Sequence, residues 1–452
     1  MKLKKLILTN FRCYENFEIE FNEKLNVIVA ENGAGKTTIL DAVAIALSPF
    51  VGGFDSGTSK NFKRSDARLS IIKNSKSIMN DMESHYPIRV DAYGTFENND
   101  EEWSRELNSE KNARTTNKDA KNLSNYAKKL QNLVRIDTVE PISLPIIAFY
   151  GTDRLWNVGS KSYGKDVERQ SMSRMWGYNR ALEHTSSYKA FNRWFIDESK
   201  AQYDKLINHI QNGENITDYT IEESIVLENI RESVNICLKI SEWRNLRYNA
   251  KAKEITVNHP IQGTIPVSYL SDGVRGMLAL TADIAYRCTK LNPHLDNAPK
   301  ETDGVVIIDE IDLHLHPRWQ QSVIPSLQEA FPLIQFIVTT HSPQVLTTVP
   351  NQSIQIISDN KLYLAPLGTE GAEASRILKR VFGVELRPQN NSITIKLNKY
   401  LDLVYDDKWE DEDALKFREE LDNLFNGEEP ALMEADLYIE NRKWEIEIEE
   451  DY

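Results

Sequence analysis

Three observations in the sequence predict an α/β fold with a helical insertion and a short acidic C-terminal extension. An apolar run at 25–29 passes directly into a small-residue loop and then into an apolar helix at 38–47. A second apolar run, 304–308, ends in two adjacent carboxylates. A third, 334–339, ends close to a histidine. Short apolar runs of this kind read as buried strands, and their alternation with helical stretches sets the class.

The elements follow in order. Residues 3–7 and 17–21 alternate apolar and polar side chains around a turn, and read as two paired strands. Residues 51–80 hold Gly52, Gly53, Gly57 and six basic residues from Lys60 to Lys76, and read as an exposed insertion. A strand is expected at 90–96, a polar, basic and helix-prone stretch at 100–135, and a buried strand at 142–150. From 160 to 255 the periodicity is helical and rich in aromatics, which predicts a helical subdomain. Strand character returns at 265–269, and a helix follows over 273–290. A helix at 318–331 is stopped by Pro332, and 354–358 and 362–365 frame Asp359-Asn360, a hairpin signal. The expected regions are a first lobe at 1–159, a helical subdomain at 160–262, a second lobe at 263–366 and an acidic helical region at 367–452.

The chain has 452 residues, 54 of them basic and 68 acidic, for a net charge of −14. That balance alone argues against nucleic-acid binding. It is unevenly spread, however. From Asp402 onward there are 20 acidic and 5 basic residues, net −15, while the first 400 residues carry net +1. Whole-chain charge therefore says little about the surface of the main body. No apolar run approaches the ~18 residues of a membrane span, and the first residues are too short in their apolar part for a secretory signal. Cys13, Cys237 and Cys288 are dispersed and form neither a disulfide framework nor a zinc knuckle. A cytoplasmic protein is expected.

Four motifs carry chemistry. Ala30-Glu31-Asn32-Gly33-Ala34-Gly35-Lys36-Thr37-Thr38 lies between strand and helix, and reads as a phosphate-binding loop. Small residues let backbone N–H groups wrap a phosphate, and the helix N-terminus adds partial positive charge. Lys36 is expected to reach the β and γ phosphates of ATP and Thr37 to ligate Mg²⁺. At the end of 304–308, Asp309 is the candidate for the Mg²⁺ shell and Glu310 for polarising the attacking water. Ser271-Asp272-Gly273 opens a helix and offers an N-cap or an anion-receiving terminus. His341, after the strand at 334–339, is a candidate for hydrogen bonding to the γ-phosphate. His314 and His316, two apart and without further ligands, are weak as a metal pair.

The order of these motifs resembles ABC-type P-loop ATPase heads. That resemblance implies that Ser271, Asp272 and Gly273 face the phosphate loop of a second subunit, and that Asp312 is an inter-subunit aspartate. A homodimer or higher homo-oligomer is expected, with ATP between subunits. Asn10-Phe11-Arg12-Cys13-Tyr14 resembles the opening of SMC- and RecF-like heads, in which a basic residue at this point, here Arg12, helps hold the nucleotide. The ABC-type glutamine is absent at 150–153.

With Gly177-Tyr178-Asn179, Trp194-Phe195, Arg387-Pro388-Gln389-Asn390-Asn391-Ser392 and the acidic end, the chain is similar to the PtuA-like ATPases of the Septu anti-phage defence system. This implies a regulatory ATPase controlling a separate, PtuB-like HNH nuclease. Asp411-Glu412-Asp413 matches a nuclease spacing but reads as a solvated acidic helix. The alternative is a RecF-type DNA-repair ATPase that clamps DNA directly, using basic segments Lys60–Lys76 and Lys111–Arg135 on nucleic-acid phosphates. A transporter subunit is disfavoured by the opening motif and the helical insertion.

Overall fold

The computed structural model describes residues 1–72, 81–97, 99–111, 114–136, 140–152, 173–184, 188–212 and 221–450. It divides into two compact units, Met1–Ile377 and Leu378–Tyr452.

The first unit opens with strands β1 (Lys2–Phe11), β2 (Tyr14–Glu20) and β3 (Leu25–Ala30), then helix α1 (Lys36–Val51). A ribbon of β4 (Arg68–Ile72) and β5 (Asp81–His85) follows, then β6 (Ile88–Phe96), β7 (Asn99–Leu107), α2 (Lys121–Val134) and β8 (Ile146–Tyr150). Helices α3 (Tyr188–Gln211) and α4 (Ile221–Cys237) lead to β9 (Arg244–Asn249), β10 (Glu254–His259) and β11 (Gly263–Pro266). The unit continues with α5 (Asp272–Leu291), β12 (Gly304–Ile308), α6 (Val323–Ala330), β13 (Ile334–Thr339), β14 (Ile354–Ser358) and β15 (Lys361–Leu364).

Two sheets enclose α1. One is antiparallel in the order β2-β1-β6-β7; the other runs β15-β14-β3-β13-β12-β8, parallel except for β15. Covered on both faces, β3, β8, β12 and β13 are buried at every residue, which accounts for their predominantly apolar sequences, interrupted only by buried Asn26 in β3 and Gln335 and Thr339 in β13. Helix α1 packs on strands of both sheets, so it is buried nearly all round rather than on one stripe. In β1 a register shift between Leu3 and Lys5 lets Leu3 and Leu6 both point inward.

The structure corrects several expectations. Within 100–135, residues 99–107 form β7, whose Trp103, Arg105 and Leu107 point inward. The inward arginine hides the alternation. Buried Arg105 donates to Ile45 O (3.2 Å), Thr116 O (3.1 Å), Asn61 Oδ1 (2.8 Å) and Ser48 Oγ, and burial pushes its pKa down to about 10.

The insertion at 51–80 is anchored at a few points of its described part, with Phe54 stacked on Tyr178 at 4.2 Å and Phe62 buried, while most of the rest is exposed or half-buried as expected, Leu69 and Ile71 being exposed. Its residues 73–80, with Lys73 and Lys76, lie outside the described residues, as do 153–172. The region expected to be helical to 255 contains β9 and the start of β10. The strand expected at 265–269 ends at Pro266 and continues as a 3-10 turn. The helix at 318–331 is divided between Pro317–Gln320 and α6. The Asp359-Asn360 hairpin forms as expected, with both residues at positive φ.

The second unit contains α7 (Ser392–Tyr405), α8 (Glu412–Phe425) and α9 (Pro430–Glu450) around Leu397, Tyr400, Val404, Leu421 and Leu432. Acidic Asp411 is the N-cap of α8, and Glu412 and Asp413 occupy its first turn, where the helix dipole favours them. No described helix is long and apolar enough to cross a membrane.

Candidate functional site

Strand β3 delivers the loop to α1. Glu31, Asn32 and Gly33 are exposed, and Gly35 is the N-cap in the left-handed region, φ +94°. A Cβ on Gly35 would lie 2.5 Å from Tyr14 Oη and 2.7 Å from Cys13 Sγ. The β1–β2 turn therefore clasps the loop, and Tyr14 Oη donates to Ala34 O at 3.0 Å. Lys36 folds back and donates to Ala30 O (2.7 Å) and Glu31 O (2.9 Å). Burial lowers its pKa, and the carboxylates of Asp309, Glu310 and Asp312 oppose that shift.

The ends of β12 and β13 complete the cluster. Thr37 Oγ1 donates to Asp309 Oδ2 at 2.9 Å, and Thr339 Oγ1 to Asp309 Oδ1 at 2.6 Å. Glu310 takes a positive φ of 48°, and its N–H donates to Thr339 Oγ1 at 2.8 Å. A non-glycine residue held there stores strain that the surroundings must hold in place. Asp312 accepts from Thr340 Oγ1 at 2.6 Å. His341 follows β13; burial and the charge of Lys36 lower its pKa, which favours neutral imidazole.

Lys36, Thr37, Asp309, Glu310, Asp312 and His341 therefore share one neighbourhood. Thr38 is buried on α1 beside the Cys13 thiol. Ser271 and Asp272 are exposed at the start of α5, where Asp272 pairs with Arg275 at 2.6 Å. Gly273 packs on the loop after β12: a Cβ there would lie 2.6 Å from His314 O. His316 Nδ1 accepts from Arg318 N at 3.3 Å and caps a helical turn. Among the described residues there is no cluster of three or more metal-ligating side chains of the histidine, cysteine or carboxylate kind.

Arg12 reaches α1 rather than the loop itself. It pairs with Asp41 and Asp66, each at 2.8 Å. Asp41 also meets Lys60 at 2.5 Å and His184 at 3.1 Å. Sequence reasoning missed Asp41 and His184, of which only Asp41 gave a signal, lying one helical turn from Thr37; Tyr14 stood in the opening motif and Lys60 in the basic segment Lys60–Lys76, but neither was assigned to the support of the loop. Thr339 could have been suspected as the last residue of a buried strand next to the carboxylate strand.

Residues 5–253 match a family model described as an AAA domain. The Retron Ec83 probable ATPase of Escherichia coli is 30% identical, over 100% of this chain and 89% of that protein. The Retron Vc95 probable ATPase of Vibrio cholerae is 27% identical, over 79% of this chain and 74% of that protein. Septu protein PtuA of Bacillus thuringiensis is 24% identical, over 85% and 84%. With its phosphate loop, its carboxylate strand end and a mostly parallel core sheet, the chain belongs to this AAA-domain family as a PtuA-like, ABC-type P-loop ATPase.

Proposed function

We propose that ATP is hydrolysed at a site completed by a second copy of the chain, and that the chain is the regulatory ATPase of a cytoplasmic anti-phage defence complex holding a partner HNH nuclease. One observation carries the composite site. The catalytic candidates converge around Lys36, whereas Ser271 and Asp272 stand exposed at a helix start supported by the loop after β12.

In this reading the N–H groups of Asn32–Thr38 and the start of α1 receive the phosphates. Lys36 exchanges two loop carbonyls for the β and γ phosphates. Hydroxyl and carboxylate oxygens from Thr37 and Asp309 fit a small, oxygen-seeking cation, and these two residues would hold Mg²⁺. When bound, Mg²⁺ neutralises charge on the transferring phosphoryl group. Glu310 orients and polarises the attacking water, and neutral His341 hydrogen-bonds the γ-phosphate. Ser271, Asp272 and Gly273 cap the nucleotide of the other copy, and Asp312 lies at the boundary.

The retron and Septu relatives support the defence role. Direct DNA clamping through the basic segments has less support. Lys60 is engaged by Asp41, Arg68 by Glu15, Lys129 by Glu97 and Arg135 by Asp55.

The test is Glu310→Gln. It is expected to bind ATP, to stay dimeric with ATP in sedimentation, and to hydrolyse it roughly 10²-fold or more slowly. Wild-type turnover would refute the role of Glu310, and an ATP-independent monomer would refute the composite site. Co-purification with a co-expressed HNH nuclease tests the partner.

A further inference from the structure

We propose that Tyr150 is a positioning residue that couples the Ser271 end of α5 to Asp309 through the buried pair Asp283–Arg287. The proposal rests on the composite-site reading above.

Tyr150 ends β8, beside β12, and its two ends serve two elements. Its carbonyl accepts the N–H of Asp309 at 2.8 Å. Its hydroxyl donates to Asp283 Oδ2 at 2.8 Å. Asp283 is on α5, about 17 Å along the helix axis from Asp272 at ~1.5 Å per residue. Arg287, one turn on, donates from Nε to the same oxygen at 2.8 Å. Its Nη1 donates to Gly177 O (2.7 Å) and Asn179 O (3.2 Å). The segment after Asn179 runs along β8: Phe149 N donates to Ala181 O (2.7 Å) and Gly151 N to His184 O (3.0 Å). Helix α5, strand β8 and this strap are thereby joined at one carboxylate.

The physical argument is one of rigidity and cost. Tyr150, Asp283 and Arg287 are all at most 4% exposed. An ion pair at such depth carries a desolvation penalty that an apolar contact would avoid, so packing alone does not call for it. In a low-dielectric interior its hydrogen bonds are strong and demanding of geometry. From Gly276 to Thr289 every residue of α5 is buried, so a displacement at Ser271 is carried along a close-packed rod. Tyr150 converts that displacement into a shift of the Asp309 backbone. Nucleotide at the site capped by this chain's Ser271 is thereby reported to the site built on this chain's Asp309.

The experiment is a double-mutant cycle in the full-length protein, with ATP turnover and melting temperature as readouts. Tyr150→Phe removes one hydroxyl and leaves Asp283 paired with Arg287, so the fold is retained and the melting temperature moves by only ~1–2 °C. We expect kcat to fall about tenfold, with KM unchanged. In a Ser271→Ala background, already deprived of the capping contact, the same change costs less than about twofold.

Wild-type kcat in Tyr150→Phe would overturn the coupling, as would an equal tenfold loss in both backgrounds, which is the signature of a purely structural residue. A Ser271→Ala protein with wild-type turnover would instead overturn the composite site beneath the proposal.

Discussion

Asp41 offers the sharpest quantitative test of how the site is supported. It lies one turn beyond Thr37 on α1 and is 4% exposed. Arg12, Lys60 and His184 reach it from three separate segments. Burial opposes its ionisation, but the His184 hydrogen bond, then Lys60 and Arg12, outweigh that and hold its carboxyl well below the usual range.

Asp41→Asn strands two cations beside a neutral amide. Breaking a buried pair on one side costs ~3–5 kcal/mol. Side chains of Arg12 and Lys60 keep 30% and 19% exposure, so solvent screening reduces this to about 2–3 kcal/mol. At roughly 1.3 °C per kcal/mol, from ~2.1 cal/mol/K per residue over a unit of the size of Met1–Ile377, the melting temperature drops by about 3–4 °C. Lys60→Met removes one stranded cation, so the double variant is expected to recover about 1 kcal/mol relative to the additive sum.

The pH dependence follows from the lowered carboxyl. Its stabilisation is present above the unfolded-state value of 3.8 and is lost as the pH falls through the lower native value. The gap between wild type and Asp41→Asn should therefore be full at about pH 7 and narrow below about pH 4. Calorimetry at both pH values, with urea titration of the four proteins of the cycle, measures it. A loss under about 0.5 kcal/mol, or strict additivity with Lys60→Met, would refute the reasoning.

Two further outcomes are expected. Gly35→Ala places a methyl against Tyr14 and Cys13 at a left-handed position, and should weaken ATP binding by more than about tenfold in titration calorimetry, since strain and overpacking there each cost ~1 kcal/mol or more; wild-type affinity would show that the β1–β2 turn does not clasp the loop. Because the pKa of His341 is lowered from 6.5, the neutral imidazole persists into mildly acidic solution, and kcat/KM, which reports the free enzyme, should lose its His341 contribution only below that value. A midpoint above 6.5 that disappears in His341→Gln would contradict the assigned environment.

Legibility in the sequence followed the range of the interactions. The phosphate loop, the Asp309-Glu310 strand end, the Ser271 helix start and the Asp359-Asn360 hairpin are each built from contiguous residues. Burial and turn chemistry act locally there and leave a readable pattern, although Ser271 takes the N-cap position of α5 without a side-chain capping bond. Strand β7 was not legible, because its inward Arg105 is satisfied by carbonyl and side-chain oxygens from α1, the insertion and residue 116, all remote in sequence. The insertion looked exposed because it is polar and glycine-rich, yet Phe54 and Phe62 anchor it in the first unit.

The sequence by itself determined which strands are buried, where the small-residue loop with Lys36 and Thr37 sits, and which carboxylates and histidine follow the core strands. Tertiary structure alone decided what holds those groups in place: Thr339 on Asp309, Tyr14 on the loop, Asp41 under Arg12, Lys60 and His184, and Tyr150 between α5 and β12. The physical reason is that a loop or a strand end is specified by neighbours in the chain. A buried charge, in contrast, is tolerated only where the fold brings distant partners within hydrogen-bonding distance.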